Sequence, residues 1–397
     1  MNMKRSFIYQ PVILFVTILF TLSGCSGEKA RRAELLNNFQ LKLDSLKAET
    51  GFPGATVKII INDAQFQLAS GLADIEKGIL MEPNDRMFTG SVGKTFVAAV
   101  ALQLVDERRI DMDNLISEYF GKEEWLNRIP NGRDITIRML MNHTGGLPRY
   151  VLKDKFWNDF NNDVDKVWSP VELLSYIFDD NPVHPAGKGW SYSDTNYIIL
   201  GMIIENVCGD TYYNELSRRI LIPYGLEYTT PSISRDIPGL VPGYTGDGKP
   251  PFKLPGKVIV EGRYVVNPQF EWTGGGLVAN THDLAEWAKI LYTGNVLPKY
   301  LLNEMMTPVN ETTGLPAETG YGLGVQVWSS DDGLVYGHGG IFPGYLTQIY
   351  FIPELNTFMA MQINTDTLSG KLDRPIGRIL AAFIPMIREY LKGSSKN

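Results

Sequence analysis

The chain is poor in the residues that build disulfide frameworks and metal sites. Its 397 residues include only two cysteines, Cys25 and Cys208. A bridge between them would tie the extreme N-terminus to a mid-chain helix, and Cys25 has another use, given below. Cys208 is expected as a buried small hydrophobe. The four histidines (His143, His184, His282 and His338) are scattered, and neither His-Glu-x-x-His nor Cys-x-x-Cys occurs. No metal and no cofactor is therefore expected. Basic runs are missing too. The formal net charge is −7, and loss of residues 1–24 would remove Lys4 and Arg5 and no acid, leaving −9. Phosphate binding needs clustered Lys and Arg, so nucleic acid is not expected as a partner. There is no internal repeat and no low-complexity segment. What remains is ordinary globular composition, 44% hydrophobic and 20% charged, in a chain longer than one hydrophobic core usually organises. Two lobes are expected.

The N-terminus reads as an address. Lys4 and Arg5 open it, Val12 to Leu22 is an eleven-residue run interrupted only by two threonines, and Leu22-Ser23-Gly24-Cys25 closes it. The run is short for a bilayer span and its flanks fit a secretory signal. Its end resembles the lipobox of bacterial lipoproteins. The resemblance implies a signal peptide over 1–24, lipidation of Cys25 and a membrane attachment in the bacterial envelope. Ser26 after the cysteine points to the outer membrane. The competing reading is a signal anchor or plain signal with an incidental cysteine.

Residues 25–50 are expected to hold the anchor, a tether and the start of a helix, because Leu35, Leu36, Phe39, Leu43 and Leu46 recur at helical spacing. Gly51-Phe52-Pro53-Gly54 breaks it. Ala55–Asn62 and Gln65–Ser70 read as strands joined by a turn at Asp63. From Thr95 to about Thr293 the chain is helical and loop-rich, with helices at Leu115–Phe120, Ile135–Met141, Pro170–Phe178, Tyr197–Val207 and Thr281–Leu291. Strands return at Gly322–Trp328, Leu334–Gly337, Leu346–Ile352 and Thr357–Ile363. A last helix covers Pro375 to Leu391. The expected fold is α+β: one antiparallel sheet built from both ends of a 51–393 domain and flanked by terminal helices. The sheet lobe takes about 51–90 and 300–393. A helical lobe, about 91–299, is inserted between the second and third strands.

The chemistry concentrates at Phe88-Thr89-Gly90-Ser91-Val92-Gly93-Lys94-Thr95, ahead of the apolar helical run Phe96 to Val105. Ser91 sits at a helix start and Lys94 lies three residues on, on the same face. The helix dipole favours an anion there, and an amine can take or neutralise the proton. A free lysine titrates near 10.4, so using it as a base at pH 7 costs roughly 4–5 kcal/mol unless the site shifts it or another group shares the proton. A P-loop would need Gly at Phe88, and a nucleophile elbow would need Gly at Thr89. Alone, Ser-x-x-Lys also fits a helix cap with a solvated lysine.

Two further motifs add weight. Tyr192-Ser193-Asp194 places a tyrosine 101 residues after Ser91, and His338-Gly339-Gly340-Ile341 lies on an expected strand. Together with Ser91-Val92-Gly93-Lys94 these resemble the serine β-lactamase and penicillin-binding protein-like family: class C β-lactamases, D-alanyl-D-alanine carboxypeptidases and β-lactamase-fold esterases. His143-Thr144-Gly145-Gly146-Leu147 and Gly274-Gly275-Gly276-Leu277 with Asp283-Leu284-Ala285 add to the likeness, which runs from about residue 50 to 390. It implies a β-lactamase/transpeptidase-like fold. It also implies Ser91 as nucleophile, Lys94 as its proton partner and Tyr192 as second base and leaving-group acid. The oxyanion hole falls to the N–H groups of Ser91 and Ile341, and Asp194, His338, Gly339 and Gly340 are implied in substrate binding. A core tyrosine is the rival reading for Tyr192, and His143 is expected to be structural.

Asp194 stands where the family pattern has Asn, and His338 where β-lactamases have Lys. A carboxylate beside Lys94 would hold the amine protonated and shift base duty to Tyr192; it could also attract a cationic substrate group. Both departures favour hydrolysis of an ester or D-amino-acid-type amide, a cell-wall-derived peptide included, over β-lactamase activity. The alternatives are a β-lactamase proper and a non-catalytic envelope lipoprotein using the same pocket.

Overall fold

The computed structural model describes residues 12–246, 254, 256–309, 319–367 and 374–394, the side chains of 12–26 and 394 excepted. Residues 1–11 and the side chain of Cys25, on which the signal and lipidation expectations rest, lie outside the described residues.

Strands β1 (Gly54–Ile61), β2 (Ala64–Asp74) and β3 (Ile79–Leu80) come from the front of the chain. Strands β4 (Thr319–Tyr321), β5 (Gln326–Ser330), β6 (Gly333–Phe342), β7 (Tyr345–Ile352) and β8 (Thr357–Ile363) come from the back. They form one antiparallel sheet in the order β4-β5-β6-β7-β8-β1-β2-β3. The two halves join where β1 pairs with β8, Ala55 opposite Ile363 and Ile61 opposite Thr357. Every residue of β1 is buried, because both faces of the sheet are covered.

One cover is the pair of terminal helices, α1 (Val12–Thr50) and α5 (Pro375–Ser394). Leu35, Phe39, Leu43 and Leu46 of α1 are buried there while Leu36 is 40% exposed. The Phe39 ring lies 4.7 Å from Phe383 and 5.6 Å from Phe66, linking both helices to β2. The expected tether after Ser26 is helical instead. Glu28 to Arg32 are helix-compatible, and Arg32 donates to Glu28 one turn back at 2.9 Å. Among the described residues no helix is long and apolar enough to cross a membrane.

The other cover is the helical lobe, which leaves the sheet after β3 and returns at β4. It therefore follows a third strand; β3 is two exposed residues with no alternation to read. The expected strand Gly322–Trp328 is displaced: its first four residues form the turn between β4 and β5, in which Gly324 takes φ +76, and only Gln326–Trp328 fall in a strand. Helices at Asp154–Asn162 and Lys299–Met306 were not expected. At the centre lies α2 (Gly93–Asp106), apolar on nearly every side and buried between sheet and lobe. It is crossed by α3 (Asp194–Cys208) and by α4 (Thr281–Tyr292), whose Trp287 stacks on Phe96 at 4.1 Å and donates Nε1–H to Thr95 Oγ1 at 2.8 Å. Cys208, at the end of α3, is half-buried and free.

Candidate active site

The start of α2 faces the open part of β6. Ser91 lies in a single 3-10 turn, Gly90–Val92, that runs directly into α2. The turn is reached by backbone alone from two sides. A Cβ on Gly340 would stand 2.0 Å from Thr89 O and 3.0 Å from Ser91 N. A Cβ on Gly275 would stand 2.2 Å from Gly90 O. Gly340, expected in substrate binding, lets β6 reach the nucleophile turn. A Cβ on Gly339 would likewise meet Gln348 Oε1 at 2.7 Å, and its N–H is taken by Gln326 Oε1 at 2.7 Å.

That last bond fixes the direction of Ile341. Pairing of β5 with β6 ends at Gly337. Strand alternation turns the N–H of Ile341 to the same side as that of Gly339, where β5 no longer covers it. The Gly90 Cβ position is 2.8 Å from Ile341 N. The N–H groups of Ser91 and Ile341, expected as an oxyanion pair, are thus brought to one place.

Lys94 is fully buried. Its Nζ donates to Ser91 Oγ at 3.1 Å, to Asp194 Oδ1 at 2.7 Å and to the Gly274 carbonyl. Three acceptors for one amine is the geometry of an ammonium. Burial works to lower its pKa, but the charges of Asp194, Tyr192 and Glu271 outweigh it and hold the group above the ordinary lysine range. In the resting site Lys94 is therefore a cation that donates to Ser91, the state expected of an amine beside the Asp194 carboxylate.

Tyr192 lies beside them. Its ring sits 5.0 Å from Lys94 Nζ and 5.2 Å from the Arg149 guanidinium. Its hydroxyl is near enough to Ser91 and Lys94 to be pulled down by both, yet is in hydrogen-bond geometry with neither. Burial dominates and keeps the phenol raised.

Asp194, in the first turn of α3, is 3% exposed. Its Oδ1 is held by Lys94, and its Oδ2 accepts from Arg149 Nη2 at 2.7 Å and Nε at 3.1 Å. Burial opposes ionisation, but Arg149 and then Lys94 hold the carboxyl well below its usual range. A carboxylate saturated in this way attracts no cationic substrate group, which corrects that expectation.

His338 is buried, and both ring nitrogens are engaged. Its Nδ1 lies 2.7 Å from Gly339 O, which only accepts, so Nδ1 carries the proton. Nε2 then accepts from Tyr321 Oη at 2.9 Å, and Tyr321 accepts from His143 Nε2 at 3.1 Å. His143 Nδ1 accepts from Asn196 Nδ2 at 3.2 Å. Every proton in this chain points one way. Burial, with Lys94 second, pushes His338 down to about 3, and burial also puts His143 well below its usual value. Both rings are neutral supports of β6; His338 offers substrate no free nitrogen.

Sequence reasoning missed three participants. Arg149 follows the His-Thr-Gly-Gly-Leu-Pro turn, and no spacing rule pairs it with residue 194. Tyr321 sits on the strand that was misplaced. Glu271, 7% exposed, lies within reach of Gly274. Burial and then Asp194 push it up to about 7 against the pull of Lys94 and Arg149. The next residue, Trp272, takes φ +36, a strained conformation for a bulky side chain. It sets the turn whose carbonyl receives the N–H of Gly276 at 2.7 Å. Among the described residues no group of three or more His, Cys, Asp or Glu is placed to hold a metal.

The chain is similar to known proteins. The model of the family named Beta-lactamase matches residues 39–382. Penicillin-binding protein 4* of Bacillus subtilis (strain 168) is 25% identical over 319 residues, 79% of this chain and 68% of that protein. Protein flp of Staphylococcus aureus (strain MW2) is 23% identical over 84% of this chain and 64% of its own length. The chain thus spans about two thirds of these relatives. Among solved structures, a D-stereospecific amidohydrolase from Streptomyces sp. superposes with a TM-score of 0.73 at 27% identity, covering 87% of this chain and 97% of that one. D-amino acid amidase from Ochrobactrum anthropi SV3 superposes with a TM-score of 0.75 at 23% identity, covering 88% and 99%, a likeness of fold. With its antiparallel sheet, its inserted helical lobe and a family match across most of its length, this chain belongs to the Beta-lactamase family of serine hydrolases.

Proposed function

We propose that the protein hydrolyses an ester or a D-amino-acid-type amide through an acyl-enzyme on Ser91. The observation that carries this reading is Ser91 Oγ held 3.1 Å from the Lys94 ammonium, with the unpartnered Tyr192 hydroxyl beside both. Tyr192 rests as the neutral phenol, because its burial outweighs the pull of Lys94. It takes the Ser91 proton through its phenolate form, which the adjacent Lys94 charge stabilises, as Oγ attacks the carbonyl carbon. The carbonyl oxygen becomes an oxyanion facing the N–H groups of Ser91 and Ile341. Tyr192 then returns the proton to the leaving group. Water enters by the same route in reverse, releasing the acid and Ser91.

The names of the relatives, which speak of D-amino acid amides and penicillin binding, support a small substrate of this class. The buried neutral His338 supports the ester or amide over an efficient β-lactamase, since it provides no cation at the position where β-lactamases have Lys. The reading extends to an envelope protein anchored through lipidated Cys25, on the sequence of residues 1–25 alone.

Labelling with a fluorophosphonate and, separately, a fluorescent penicillin tests the chemistry. Peptide mass should place the adduct on Ser91 for the fluorophosphonate and show none in Ser91→Ala. A folded wild-type protein that takes neither label would turn the reading to a non-catalytic binding protein.

A further inference from the structure

Of the charged groups gathered around Ser91, one reaches solvent. The side chain of Lys94 is 0% and that of Asp194 3% exposed, while that of Arg149 is 35% exposed. Glu271 is buried. Arg149 turns Nε and Nη2 toward Asp194 Oδ2 and rests its guanidinium over the Tyr192 ring. Nη1 has no partner among the described residues. Asp194 is already matched by Lys94 at 2.7 Å, so Arg149 is the second cation on a single carboxylate. Lys94, Arg149 and Asp194 together leave one positive charge, and Glu271, pushed up to about 7, cancels it only as it ionises. The surplus is displayed through Arg149, at a fixed place next to the tyrosine that flanks the nucleophile. A guanidinium fork held from behind, with one face open, suits a carboxylate.

We infer that Arg149 is the substrate-recognition residue of this site and that the preferred substrates carry a carboxylate, which binds its free face. The inference rests on the hydrolase reading and narrows it. An unprotected α-ammonium would meet Arg149 unfavourably, so N-acylated or acidic substrates are selected over simple amino-acid amides. The chain as a whole is acidic, at −7, so the attraction is local and screened within about 10 Å at 0.1 M salt.

The test compares mono-p-nitrophenyl adipate with p-nitrophenyl hexanoate, equal in carbon number and leaving group. A second pair, 4-acetoxybenzoate and its methyl ester, carries the charge on the leaving side. The ratio of kcat/KM, charged over neutral, is measured for wild type, Arg149→Gln, Arg149→Lys and Lys188→Ala. Lys188 is exposed and borders a neighbouring cavity of about 450 Å³ with Tyr192, so it controls for unspecific charge. Wild type should favour the charged member of at least one pair. Arg149→Gln should lower that ratio roughly tenfold to a hundredfold, the range for a lost charge-assisted bond. Arg149→Lys should keep part of it, and Lys188→Ala should leave it within about twofold. Because Arg149 also touches Asp194, rates on neutral esters fall as well; the ratio separates recognition from that loss. A ratio unchanged in Arg149→Gln, or a wild-type preference for the neutral member of both pairs, overturns the inference. Fluorophosphonate labelling of Ser91 in the same samples keeps the two readings apart. Labelling with an unchanged ratio defeats only the role of Arg149, whereas no labelling defeats the hydrolase and this inference with it.

Discussion

A lysine that donates to three oxygens and a carboxylate that accepts from two cations hold each other in place. Removing either partner of such a buried set costs several kcal/mol, because the other charge stays behind uncompensated. Glu271 behaves differently. It has a raised pKa and titrates in the folded protein near 7, against an ordinary 4.5. Between those values the folded state keeps a proton that the unfolded chain has lost. Its contribution to stability is full below about pH 4.5 and is lost as pH rises through 7, at most roughly 3 kcal/mol. Melting temperature of the wild type should therefore drop across pH 4.5–7 more steeply than that of Glu271→Gln. Parallel profiles would show that Glu271 ionises normally. Ser91 and Lys94 were legible because their spacing is local to one helix turn. Arg149 was not, because a contact across 45 residues leaves no periodic trace.

At the scale of elements, legibility followed the number of residues carrying a pattern. Thr281–Leu291 and Thr357–Ile363 were readable because a full face repeats in each. The two residues of β3 carry no period, and the break at Gly322–Gly324 is fixed by bonds from Leu323 N–H to Met305 O and from Gly324 N–H to Met141 O, distant partners that the local sequence does not reveal. The same logic gives α1 its measurable weight. Phe39 is fully buried between Phe383 and Phe66. Phe39→Ala should cost about 3–5 kcal/mol, while Leu36→Ala, on the exposed side, should stay within about 0.5 kcal/mol. Urea midpoints on both variants check this; equal shifts would mean that α1 is not docked on the sheet.

For the molecule as a whole, the β-rich ends and α-rich middle of the sequence were enough to suggest an inserted lobe, because chain order and layer order coincide here. The proposed attachment to a membrane rests on the sequence of residues 1–25. Cells fed labelled palmitate should incorporate it into the wild-type chain and not into Cys25→Ala, and label retained in the variant would remove the anchor from the reading.

The meeting of Gly90, Gly275 and Gly340 around Ser91 has a consequence for how such a protein can change. The ground on which the nucleophile stands is built from main chain, with no side-chain volume left to vary. Selection acting on this enzyme finds almost nothing adjustable there. Altered appetites must come from the perimeter, from Arg149 and the loops of the inserted lobe. The machinery can be inherited intact while its diet drifts.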